Sequence, residues 1–300
     1  MSKKKITILI IAIILLIVGV IVCFCVATAM EFDFKKLATS KYITNEHKLS
    51  EGFNKISVET NTADVIFALS EDGEGKVVCY EQENITHTVE VKNGTLVIKV
   101  RDGRKWYQFI NISTSSMKVT VHLPKSQYEL VKAETDTGKI ELHKGLSFDK
   151  ADLDTDTGEI AVYGDCNTLS AVTDTGRVNL KSADIDNANI ETDTGKVRIE
   201  DIAFAMLSIE VDTGDVDLKG VTATVKMRIE SDTGDVELDM CDAADIYIKT
   251  STGDVTGTLR THKIFYHKTS TGDVDLPPSR PGGECRIITS TGDMEIRIAE

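Results

Sequence analysis

A Thr-Gly pair recurs nine times between Thr137 and Gly292 of this chain, with glycines at Gly138, Gly158, Gly176, Gly195, Gly214, Gly234, Gly253, Gly272 and Gly292. The spacing never leaves 18–20 residues. A fixed period of that size marks an architecture built of stacked repeats. One copy, "VDTGDVDL" over Val211–Leu218, shows the pattern. Two residues after each glycine stands an aliphatic side chain: Ile140, Ile160, Val178, Val197, Val216, Val236, Val255, Val274 and Met294. Two further on the column is again mostly aliphatic, and the residues between are polar, as at Arg198, Asp217 and Glu237. Upstream, Ile190, Ile209, Ile229 and Ile248 alternate with Glu191, Glu210, Glu230 and Lys249.

Alternation with period two is the signature of a strand with one buried face. Each repeat therefore reads as strand, tight corner, strand and a variable third stretch. One unit cannot bury its apolar face alone, but stacked units can. The predicted fold is all-β: a single-chain parallel β-helix, or β-solenoid, of coils of about 19 residues rising about 4.8 Å each. No proline interrupts the span between Pro124 and Pro277, which suits continuous ladders.

The corner residues carry their own expectations. Glycine predicts a positive φ, and the threonine before it predicts a hydroxyl ladder. The preceding column reads Asp136, Asp156, Asp174, Asp193, Asp212, Asp232, then Ser251, Ser270 and Ser290. Asp and Ser share the ability to close a turn onto the backbone two residues on. The residue after the glycine changes from Lys139, Glu159, Arg177 and Lys196 to Asp215, Asp235, Asp254, Asp273 and Asp293. Those five carboxylates have two readings, a solvated edge or a weak divalent-cation strip of hard oxygen ligands. "DTG" also occurs in aspartic proteases, but six evenly spaced copies lack the paired lobes that such catalysis needs.

Ahead of the regular array, residues 126–300, the segment 53–125 reads as degenerate copies. "ETNTADV" at Glu59–Val65 matches "ETDTGKV" at Glu191–Val197, with Ala63 in the glycine place, and "STSSMKV" at Ser113–Val119 is a second candidate. "VEVKNGTLVIKV" at Val89–Val100 predicts a hairpin turning at Asn93-Gly94. Residues 30–52 read as a stalk or linker. "PPSRPGG" at Pro277–Gly283 reads as a loop before the last coil, whose free edge at Asp293–Arg297 would allow end-to-end self-association.

At the N-terminus a short tail, 1–5, with Lys3, Lys4 and Lys5, precedes an apolar run over 6–29. About 20 such residues cross a bilayer as a helix, and flanking lysines stay cytoplasmic. This predicts a single-pass anchor in the cell membrane with the β-solenoid outside. Cleavage at Ala27-Thr28-Ala29 is the alternative, which the length of the run disfavours. Residues 1–52 carry a net charge of +3 and the rest −17, within a total of −14. So acidic a body predicts no nucleic-acid partner.

The expectation is of no cofactor, no metal beyond the carboxylate ladder, and no enzyme. The six histidines form no ligand-spaced pair, and His267 falls in the inward isoleucine column, where it reads as a core substitution. No nucleophile elbow, phosphate loop or zinc motif occurs. Cys79, Cys166, Cys241 and Cys285 read as buried small apolar residues, and spacing leaves a Cys166–Cys241 pairing open.

The N-terminal apolar run, the hairpin region, "VTVHLPKS" at Val119–Ser126 and the repeated corners together resemble the bacterial putative-adhesin family of DUF4097-type β-strand-repeat proteins, over about residues 53–300. The resemblance implies a surface-displayed binding, adhesin-like or scaffold module, with an unknown protein or a cell-wall glycan as partner. The alternative it implies is an accessory or sensor of a cell-envelope stress response, acting through membrane partners.

Overall fold

The computed structural model describes residues 3–29, 41–104 and 116–299. They fall into an N-terminal unit that holds a helix and a β unit formed by Tyr42–Gly103 and Ser116–Glu300. The helix runs Lys3–Ala29. Its described side chains over 11–25 are apolar on every side and open to solvent, as at Leu15, Leu16 and Phe24. The membrane-spanning helix expected over 6–29 is not found as such: among the described residues, no helix is long and apolar enough to cross a membrane.

The β unit is a solenoid. Strands of successive coils pair in parallel in two main columns, one before the Thr-Gly corner and one after it. The inward residues are those of the aliphatic columns. Ala171, Ile190, Ile209, Ile229, Ile248 and Ile287 lie in register and are buried, as are Val178, Val197, Val216, Val236, Val255 and Met294. Each buried valine, isoleucine or methionine among them contributes about 1.5–3 kcal/mol.

The corner explains the invariant glycine, and positive φ is only part of the reason. Gly214, Gly234, Gly253, Gly272 and Gly292 have φ of 140–150°, but Gly138, Gly158, Gly176 and Gly195 are not in that region. What all nine share is contact with the neighbouring coil. A Cβ on Gly195 would lie 1.4 Å from the Gly176 carbonyl oxygen, and one on Gly176 would lie 1.8 Å from that of Gly158. The backbones approach too closely for any side chain. Where the repeat is degenerate, buried Ala63 takes the place, and its carbonyl in turn abuts Gly138.

The hydroxyl ladder also stands elsewhere than expected. The threonines beside the glycines, such as Thr137 and Thr175, are exposed. The buried ladder lies two residues earlier: Thr135, Thr155, Thr173, Thr192, Ser231, Thr250 and Thr289. Thr155 Oγ1 donates to the Gly138 carbonyl at 3.1 Å and Thr173 Oγ1 to that of Gly158 at 3.4 Å. Val211 fills the same column without a hydroxyl, so packing is the column's common property. The aspartates of the corner, Asp136 to Asp232, are exposed, and no side-chain bond from them closes the turn among the described residues.

The coil order departs from the chain order at both ends. Glu284–Thr291 pairs with Val236–Thr252 on one side and with Ile264–Lys268 on the other. Met294–Ile298 likewise lies between Val255–Leu259 and Val274–Asp275. The last coil in sequence is thus slotted inside the coil that precedes it. The free edge expected at Asp293–Arg297 is therefore interior, and the outermost strands are Ile264–Lys268 and Val274–Asp275. This edge is short and partly covered: the Ser279 hydroxyl accepts from the Phe265 amide at 2.9 Å, and the Arg280 amide donates to the Lys263 carbonyl at 2.9 Å. His267 is in register with Ile287, as its column requires, but stands exposed because no coil lies beyond it among the described residues.

The N-terminal end mirrors this device. Lys55–Thr60 is held between Thr95–Asp102 and Gln127–Thr135, and Asp64–Leu69 between Lys118–Leu123 and Ile140–Leu142. Antiparallel strands close the stack. Ile85–Lys92 and Thr95–Asp102 form the hairpin, with Asn93 and Gly94 at φ of 51° and 75°. Tyr42–Lys48, inside the expected stalk, is an ordered strand against Lys76–Gln82; residues 30–40 and 113–115 lie outside the described residues.

Gly176→Ala separates the two accounts of the corner, because Gly176 is not held at positive φ. The overpacked methyl should cost about 3 kcal/mol or more, while Ala63→Gly should cost under about 1 kcal/mol. Thermal melts followed by circular dichroism measure both; a Gly176→Ala variant as stable as the parent would refute the contact account.

Candidate functional site

The aspartate ladder runs in the spatial order Asp215, Asp235, Asp254, Asp293, Asp273. Its carboxylates are tied to backbone. The Asp254 amide donates to Asp235 Oδ1 at 2.9 Å, the Asp293 amide to Asp254 Oδ1 at 2.7 Å, and the Asp273 amide to Asp293 Oδ1 at 2.7 Å. Asp215 Oδ1 accepts from the Asp235 amide at 3.3 Å, and at the other end of the stack Asp64 Oδ1 does so from the Lys139 amide at 3.0 Å. The column thus stitches coil to coil through charge-assisted bonds. From Asp215 to Asp293 each carboxylate has one oxygen already engaged, which favours the structural reading over the cation strip.

A second acidic group lines a groove of about 270 Å³ that includes Glu59, Glu134, Asp136, Asp154 and Asp156. Partial burial, then the neighbouring Glu134, Asp156 and Asp174, push the Asp154 carboxyl above its ordinary range. A groove of about 450 Å³ at the corners holds Arg177, Lys196 and Arg198. Lys196 is paired with Asp217 at 2.7 Å and Arg198 with Glu200 at 2.8 Å, whereas Arg177 has no ion-pair partner among the described residues.

The cluster that sequence reading missed is Cys79, Glu81 and His87, whose ligand-capable atoms lie within 4.8 Å of one another. Two strands of the N-terminal cap bring them together: Cys79 and Glu81 alternate inward on one, and His87 enters from the hairpin. All three are buried. Glu81 Oε2 accepts from the His87 amide at 2.7 Å and lies 2.8 Å from His87 Nδ1, while Oε1 accepts from Asn45 Nδ2 at 2.6 Å. His87 Nε2 lies 2.9 Å from Thr60 Oγ1. Thr60, His87 and Glu81 thus follow a hydroxyl–imidazole–carboxylate order; all three are buried, and Thr60 also stands at the wall of the acidic groove. Every side-chain polar atom of the Glu81–His87 pair has a protein partner, so a metal ion would have to displace bonds already made. Burial and the Glu81 charge push the Cys79 thiol up to about 12. The network ties the first strand, Tyr42–Lys48, into the cap. The one-residue alternation in "CYEQENITH" carried a signal for it, but only the hairpin register places His87 beside Glu81.

Cys166, Cys241 and Cys285 are buried free thiols, so no Cys166–Cys241 bridge forms. Burial, first among the causes, pushes them to about 12, 11 and 12.

The outward face of the strands before the corner carries a further constellation. One column reads, coil by coil, Ser170, Asn189, Ser208, Arg228, Tyr247, Arg286, Tyr266. The Arg228 guanidinium stands 5.0 Å from the Tyr247 ring centre, and that of Arg286 5.1 Å from the Tyr266 ring. The next outward column reads Glu191, Glu210, Glu230, Lys249, Ile288, Lys268. In chain order Tyr247 is followed by Tyr266, so the alternation of arginine and tyrosine arises only through the exchange of coils.

The Toastrack DUF4097 family model matches residues 53–297. The chain belongs to this family. Among solved structures, a putative adhesin from Bacteroides fragilis is similar at 18% identity and a TM-score of 0.50, covering 86% of this chain and 97% of that one. A putative lipid binding protein from Parabacteroides distasonis follows at 15% identity and a TM-score of 0.43, covering 88% and 98%. A putative adhesin from Parabacteroides merdae matches at 10% identity and a TM-score of 0.40, covering 87% and 98%. No curated protein matches.

Two outcomes are expected. Asp254→Asn, which keeps an acceptor for the Asp293 amide, should be nearly silent, and Asp254→Ala should cost about 1–2 kcal/mol in denaturant titrations; equal effects would undo the stitching account. The four thiols of the β unit should resist a thiol reagent at neutral pH and react only on unfolding, because the reactive thiolate is suppressed. Labelling of Cys79, Cys166, Cys241 or Cys285 in the folded protein, read by peptide mass spectrometry, would contradict this.

Proposed function

We propose that the chain is a membrane-anchored, extracytoplasmic binding module without catalytic activity. The observation that carries the reading is the outward faces of the solenoid. They set charged and aromatic side chains in register at one-coil intervals on a rigid scaffold, as a binding surface for an extended partner requires. The triad-like Thr60, His87 and Glu81 have their side-chain polar atoms engaged with one another and with Asn45, which supports a structural role for them. The similarity to solved proteins described as adhesins concerns the fold, and function is carried by the faces.

Anchoring rests on the N-terminal run. Its apolar side chains point in all directions from the helix, the pattern of a segment surrounded by lipid or protein. Read from the sequence alone, the apolar run over 6–29 reaches the roughly 20 residues that a spanning helix takes, which would leave Lys3, Lys4 and Lys5 on the cytoplasmic side. The partner on the outer side is a cell-wall component or an envelope protein.

Two measurements test the reading. The protein should fractionate with membranes and keep its N-terminus through residue 30; a mature protein starting at Met30 would remove the anchor. Detergent-solubilised full-length protein should co-sediment with isolated cell walls, and its failure to do so would argue against a wall-binding role.

A further inference from the structure

We infer that the last four coils of the solenoid present a docking face for a linear phosphate-bearing polyanion, running along the stack. The inference rests on the binding-module reading above and names its surface and partner class. Across these coils the cations form a zigzag: Arg228, then Lys249, then Arg286, then Lys268. They alternate between two neighbouring outward columns, one cation per coil, with a rise of about 4.8 Å. Lys249, Arg286 and Lys268 have no carboxylate partner among the described residues, and Arg228 shares its charge with Glu230 at 2.7 Å.

The same column is acidic further back, at Glu191, Glu210 and Glu230, and changes sign only at Lys249. On a chain of net charge −14, a polyanion is repelled from most of the surface and attracted only along these two columns, so complementarity is local. Tyr247 and Tyr266 hold the two guanidinium groups upright through cation–π contact, which spares them the entropy of a free arginine. The strip is bordered on one side by the outward column Lys226, Asp245, Glu284 and Ile264, whose two carboxylates confine the attraction to the cation zigzag itself. Guanidinium and ammonium groups both bind phosphate, the arginine with directed hydrogen bonds.

A nucleic acid is the less favoured polyanion. Each tyrosine has one ring face taken by an arginine, and the spacing of about 4.8 Å between coils leaves no gap for a base to enter the ladder.

The test uses full-length protein in detergent and fluorescently labelled inorganic polyphosphate, with binding read by anisotropy at low and high salt. The parent protein should bind, and its affinity should fall steeply with salt. The double variant Arg286→Glu/Lys268→Glu should lose at least tenfold, Arg286→Gln/Lys268→Gln should lose less, and Arg177→Glu, in the basic groove away from this face, should stay within twofold. Unchanged thermal melts establish that the surface variants are folded. No binding by the parent, or an equal loss in Arg177→Glu, would overturn the inference. So would tighter binding of a single-stranded oligonucleotide, or of anionic phospholipid vesicles with polyphosphate ignored. Self-association abolished by the same charge reversals, without polyphosphate binding, would also overturn it in favour of a second copy. Wall co-sedimentation separates the two levels: retention by walls of both parent and charge-reversed protein would sink this face alone, and no retention of the parent would sink the wall-binding reading beneath it.

Discussion

The contact on which the structure depends is between glycine and the carbonyl of the glycine one coil away. At Gly176 and Gly195 the backbones meet where a methyl group would stand under 2 Å from oxygen. The corner is thereby held at the same azimuth in every coil. All other columns inherit their alignment from it: the buried hydroxyl column, in which Thr155, Thr173 and Thr289 reach glycine carbonyls, the isoleucines that fill the interior, and the outward residues that meet their equivalents one rise away. A side chain at the corner would push the coils apart locally, and the loss would be felt in both ladders that the corner joins.

Because every coil offers the same edge, the order of coils is not dictated by the edges themselves. The chain exploits this at both ends. The first strand pair of the stack, Lys55–Thr60 and Asp64–Leu69, and the last, Glu284–Thr291 and Met294–Ile298, are each enclosed between two other coils. These strands therefore have partners on both sides, and the true edges are short strands, an antiparallel hairpin and a proline-bearing loop. Such ends resist strand addition without a capping helix. The exchange also sets Arg286 between Tyr247 and Tyr266, which chain order would leave as adjacent coils.

The repeat was legible because its cause is local. Each copy needs a glycine at its own corner and aliphatic residues two and four places on, so nine copies announce one fold. The reason for the glycine was less legible, since a contact between coils leaves the same mark as a positive φ. The coil order was hidden for the reason just given, although one residue carried it: His267 in an isoleucine column fits an end coil, whose inward face needs less filling, and not an interior one. The Glu81–His87 network was hidden because its partners come from other strands, Asn45 lying 36 residues from Glu81 and Thr60 lying 27 residues from His87. The aspartate ladder was visible as a column, but its bonds to amides needed the register of neighbouring coils.

The exchanged order of the last two coils is the claim on which the arginine–tyrosine ladder stands, and engineered disulfides test it most directly. Neighbouring strands in register bring paired Cα atoms within bridging range. Tyr247→Cys with Arg286→Cys should cross-link under mild oxidation, since these positions are partners on adjacent strands. Tyr247→Cys with Tyr266→Cys should not, because a whole coil separates them. A bridge in the second pair and none in the first would show that the coils follow chain order, and would dissolve the ladder.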